Sequence, residues 1–126
     1  MVQRNNANFE LDEFTPPGIV KVSAAALKLA RDFGESVKRM RPNQDWVASF
    51  DWALARSFRV SPDAPWQNVG PGLDLGAYER HKIPPGFIQT TDGVEFAIKI
   101  PREVWESSRH RLIDTDETAF SKLALR

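Results

Sequence analysis

His81, Tyr78 and Asp74 form the one group in this sequence whose types and spacing suggest chemistry. His81 closes the run Tyr78-Glu79-Arg80-His81, after an expected strand and before a proline-rich loop. An imidazole placed there can act as a general base or a metal ligand, because it changes charge near neutral pH. Asp74 lies four residues before Tyr78, so on a strand both side chains share a face. A cleft between the Trp66 loop and the Pro84-Pro85-Gly86 loop would then use His81 as base, with Tyr78 and Asp74 orienting or binding. The plainer reading makes His81 a solvated residue at a strand end. Trp66, alone among prolines and glycines, is a candidate for ligand or partner contact, together with Arg80 and Phe87. His110, flanked by Arg109 and Arg111, reads as a residue facing water.

No metal is expected. A site would need both histidines with Asp51, Asp74 or Asp114, and their spacing matches no ligand motif. The chain has no cysteine, which removes a thiolate nucleophile, disulfides, Cys-based zinc and Cys-ligated iron–sulfur chemistry. Ser23, Ser49 and Ser107 lack a nucleophile-elbow context. Gly70 to Gly76 precedes a strand rather than a helix, so it does not form a phosphate cradle. Its glycines read instead as a tight turn and a close backbone approach. No cofactor is expected either.

A chain of 126 residues is one domain, and its 41% hydrophobic content, with four Trp and eight Phe, can fill a core. With 17 Lys+Arg against 17 Asp+Glu, charge balance points to neither nucleic acid nor an anionic membrane as main partner. The one basic concentration runs from Lys21 to Arg41, where an RNA or an acidic partner would bind if either does. The first fourteen residues lack the apolar run of a secretory signal, and no stretch approaches the ~18 apolar residues of a membrane span. A cytoplasmic location is expected, with a protein partner or a homo-oligomer in preference to membrane or nucleic acid.

These candidates depend on the elements that carry them. Residues 1–18 are expected to form an N-terminal arm, with Phe9, Leu11 and Phe14 either docked or left in a tail; 19–126 form the domain. Ile19 to Val22 reads as a short strand leading to a helix capped by Ser23 and stopped by Pro42. Val22, Ala26, Leu29, Phe33, Val37 and Met40 give its apolar stripe, and Glu35 and Arg39 an i,i+4 ion pair. Trp46, Ala48, Phe50 and Trp52 alternate with Val47, Ser49 and Asp51 as in a half-buried strand. Ala53 to Arg56 suits helix or strand. Residues 61–72 read as a long loop, Leu73 to Tyr78 as a strand, and 82–91 as a second loop. Asp92-Gly93 is a turn into the cleanest strand, Val94 to Ile100. Pro101 opens a helix whose spacing continues through Val104, Trp105, Ser108 and Leu112; 114–126 is a last strand or a fraying end. The class is α+β, a single small domain with a mixed or antiparallel sheet and two helices.

The Ile19-Val20-Lys21-Val22 strand entering a helix at Ser23-Ala24-Ala25, the segment Asp92-Gly93-Val94-Glu95-Phe96-Ala97-Ile98 and the later Leu112-Ile113-Asp114 resemble the HesB-like domain of A-type iron–sulfur carriers. The resemblance implies that family's α+β scaffold. The family's cluster ligands, one Cys in a Gly-rich loop and a C-terminal Cys-Gly-Cys, have no counterpart here, so no site residue is carried over. The leading expectation is a protein-binding or small-ligand-binding module on a HesB-like scaffold. A small enzyme using His81 is the alternative, and a nucleic-acid binder through the basic helix a weaker one.

Overall fold

Strand periodicity dictates most of the architecture seen in the computed structural model, which describes residues 19–119 and 121–126. The element order is β1 (Lys21–Val22), α1 (Ala24–Met40), β2 (Trp46–Ala53), β3 (Arg56–Phe58), β4 (Gln67–Val69), β5 (Gly72–Glu79), β6 (Ile88–Thr91), β7 (Val94–Lys99), α2 (Arg102–Ser107), β8 (Leu112–Thr115) and β9 (Leu123–Leu125). The main sheet has the order β5-β2-β7-β6, with β2 antiparallel to β5 and parallel to β7. A second sheet, β1-β8-β9, and a ribbon of β3 with β4 complete a single-domain α+β fold. The expected arm and Phe120 lie outside the described residues. Among the described residues no helix is long and apolar enough to cross a membrane.

The alternation of β2 separates two faces. Ala48 and Phe50, with Leu73 of β5 and Phe96 and Ile98 of β7, bury one face against α1. Phe50 and Phe96 meet edge to face, with ring centroids 5.4 Å apart. Helix α1 begins where Ser23 Oγ accepts from the Ala26 amide at 3.2 Å, as expected of a cap. Its closest face differs from the expected stripe. Ala26, Leu27 and Ala30 are buried, Leu29 and Phe33 only partly so, and Met40 is 77% exposed. Small side chains let the helix axis approach the sheet; the larger ones occupy the flank, and Met40 falls in the last turn, exposed. Glu35 does not pair with Arg39, which donates to Ser36 Oγ instead.

Three strands appear where no periodicity announced them. Both expected loops contain one: β4 pairs with β3, and β6 pairs with β7 across the Asp92-Gly93 turn, whose residues both have positive φ. The tail contains β9, paired with β8. Helix α2 is also shorter than expected, since Leu112 begins β8. The Gln89 side chain fastens Val20 to the edge strand, with Nε2 donating to Val20 O at 2.9 Å and Oε1 accepting from Val20 N at 3.2 Å.

Candidate functional site

The second face of the main sheet is where chemistry collects. Odd positions of β2 place Val47, Ser49 and Asp51 there, with Asp45 immediately before the strand. Register adds Asp74, Gly76 and Tyr78 from β5, and Glu95, Ala97 and Lys99 from β7. At one end Arg80 grips Glu95 with both terminal nitrogens, one at 2.6 Å, and donates through Nε to Asp45 at 2.6 Å. The hydrogen bonds from Arg80 lower the pKa of both acids, and those acids raise that of Arg80. Midway, Val47 and Ala97 are covered by Ile83 and Phe87 from the two 3-10 turns that follow β5. Arg80 thus braces three strands, and Phe87, 7% exposed, is part of a core.

The other end is polar and largely buried. Ser49 Oγ donates to Asp51 Oδ1 and Tyr78 OH donates to Asp51 Oδ2, each at 2.5 Å. Asp51 stands opposite Lys99 on one side and Asp74 on the other. Lys99 is buried, with its Nζ 5.4 Å from the centre of the Tyr78 ring. Arg56 of β3 closes the row, with Nη1 donating to Asp74 Oδ1 at 3.1 Å. Gly76 makes the Tyr78–Asp51 bond possible, because a Cβ there would lie 2.5 Å from Asp51 Oδ2. Gly72 likewise leaves room for the Arg56 guanidinium.

Burial pushes the Asp51 carboxyl up to about 6. The Ser49 and Tyr78 hydroxyls and the Lys99 charge oppose that rise, and Asp74 adds to it. Burial also raises the Tyr78 phenol, with the Asp51 charge as second cause, and lowers the Lys99 ammonium. The arrangement can therefore take up or release a proton near neutral pH, beside a cation and an aromatic face.

Of the three residues expected to act together, the structure unites Tyr78 and Asp74 on one face and leaves His81 out. Once β5 ends at Glu79 the alternation stops, and a 3-10 turn carries His81 to Glu79, with Nδ1 and Oε2 3.3 Å apart and its side chain 72% exposed. Trp66 is 63% exposed in the connection between β3 and β4, beneath the Arg59 guanidinium at 4.7 Å. A cleft of about 430 Å³ lies between α1 and the β6–β7 turn. Among the described residues no three His, Asp or Glu side chains gather to hold a metal. Asp51 and Lys99 were missed as partners, although each is a charge inside a strongly alternating strand, the one signal that could have marked them. No protein-family model, curated protein or solved structure matches the chain.

Proposed function

We propose that the protein is a cytoplasmic module that binds a small ligand at Asp51, Tyr78 and Lys99, on a scaffold resembling the HesB-like domain without its cysteines. The carrying observation is the Asp51 carboxyl, held by two hydroxyls in a setting that raises it to about 6. A carboxyl so placed is costly to the fold, and such costs concentrate where a group acts. The Lys99 ammonium favours an anionic ligand, the Tyr78 ring offers it an apolar face, and protonated Asp51 donates to an oxygen. A small carboxylic acid or carbonyl compound fits that chemistry. For the scaffold, the support is the strand-to-helix opening and the strand that follows the Asp92-Gly93 turn.

A panel of small carboxylates and carbonyl compounds, followed by thermal shift at pH 6, tests the proposal. Hits on the wild type are expected to weaken about tenfold or more, ~1.4 kcal/mol, in Asp51→Asn and Tyr78→Phe. Gly76→Ala, which pushes the carboxylate aside, should weaken them too. Identical hits in all four proteins would refute it. A second reading rests on that same value near 6, which suits a general base and gives Asp51 the part expected of His81. Any turnover would then rise with pH through about 6, survive His81→Ala and vanish in Asp51→Asn.

A further inference from the structure

Val20 fixes where the chain that precedes the described residues meets the fold. It is buried on the α1 side of the main sheet and bonded to Gln89 of the edge strand β6, while Ile19 is 93% exposed. Residues 1–18 therefore approach at that edge. Round the edge lies the second face of the sheet, and Ile88, registered with Ala97, is its nearest residue. From there an apolar strip crosses the sheet, running from Ile88 past Phe87 to Tyr78 on β5.

Lys99 and Arg56 lie towards one end of that strip. Lys99 is 9% exposed and the Arg56 side chain 11%. Cations buried this far require anions. Asp74 answers Arg56, but the Asp51 carboxyl opposite Lys99 holds a proton below about 6. A further carboxylate is thus favoured beside Lys99. Phe58 is two residues from Arg56 on β3, so it shares that side. Arg56, Phe58, Tyr78, Phe87 and Lys99, two cations and three rings from four elements, each make a further polar, ring or electrostatic contact besides those described above.

Residues 9–14, Phe-Glu-Leu-Asp-Glu-Phe, have the matching chemistry: large apolar side chains alternating with acids, and no base. Extended, six residues span about 20 Å. The strand spacings from β6 to β5 sum to roughly 14 Å. Residues 15–18 add about 12 Å, enough to round the edge strand. We infer that residues 9–14 dock across this second face within their own chain, setting apolar side chains on the strip from Ile88 to Tyr78 and a carboxylate beside Lys99. The segment then supplies in cis the carboxylate that the Asp51 site selects, and a free ligand must displace it. That competition rests on the function proposed above; the docking itself does not.

Because the chain has no cysteine, Asn8→Cys gives a single point for a nitroxide label on the full protein. The label should broaden the amide NMR signals of Tyr78 and Lys99 far more than that of Lys28, exposed on α1 across the sheet. Adding Phe9→Ser, Leu11→Ser and Phe14→Ser together should abolish that contrast. Equal broadening on both faces, or broadening centred on the exposed Trp66, would overturn the inference. So would broadening at Lys99 when labelled chains are mixed with isotope-enriched unlabelled ones, since the segment would then come from a second copy. With its site released, the triple variant should bind the small carboxylates found by thermal shift about tenfold more tightly than wild type. Equal affinity in both would overturn the competition. An intact label pattern with no carboxylate bound by either protein would refute the proposed ligand and support the docking.

Discussion

Asp51→Asn is expected to stabilise the protein at pH 7.5 by roughly 1–3 kcal/mol and to leave it unchanged near pH 4. In the folded chain this carboxyl is raised from 3.8 to about 6, chiefly by burial. Between those values the native state holds a proton that the unfolded chain has released. This group's contribution is therefore fully present below pH 3.8 and declines as pH rises, until above about 6 the buried anion is a fixed cost. Asparagine removes that cost without leaving the hydroxyls unpaired, because its oxygen can accept from one and its amide can donate to the other. Lys99, facing a neutral side chain, keeps the gain below the full value.

The other groups on this face and beyond it act in the opposite sense or outside this range. Asp45, Glu95, Asp114 and Asp116 are all lowered, each first by a side-chain hydrogen bond, so they favour folding as pH rises. The wild-type profile mixes the two trends, and the difference between variant and wild type isolates Asp51. Urea unfolding from pH 4 to 8 measures it. A difference that does not change with pH would mean that Asp51 is not a strained group, and the proposed ligand site would lose its basis.

Phe96→Ala should cost about 3–5 kcal/mol, a large part of the ~5–15 kcal/mol that holds a domain together. Phe96 is wholly buried on β7, and its ring edge meets Phe50 of β2 at an interplanar angle of 74°. Truncation removes that contact and opens a cavity between the sheet and α1, whose small residues already sit close and have few atoms with which to fill it. The urea midpoint should fall with little change in slope, and melting should drop by more than about 10 °C. A Met40→Ala control, on a side chain 77% exposed, should move neither. A loss below about 1 kcal/mol in Phe96→Ala would show that this face is not the core.

Much of this fold was legible in order along the chain. Ser23 and Pro42 bound α1 because a cap and a chain-stopper act within one turn of themselves. Alternation from Trp46 to Trp52 and from Val94 to Ile100 identified β2 and β7, because a period of two is set by neighbouring residues alone. The short strands β4, β6 and β9 carry no such pattern; what makes them strands is the partner each lies against.

The candidate site divides along the same line. That Asp74 and Tyr78 share a face follows from their spacing, and so does the pairing of Ser49 with Asp51 on β2. Asp51 beside Lys99 could not be read that way. It requires β2 and β7 to lie parallel in one particular register, although forty residues and four other strands separate them in sequence. Sequence by itself thus determined the helix, the principal strands, the α+β class and which residues share a strand face. Only tertiary structure decided that Asp51, Tyr78 and Lys99 meet and that His81 turns aside to Glu79. The physical reason is range: periodicity and capping act over a few residues, whereas register between distant strands is settled by which faces of the whole chain can be buried together.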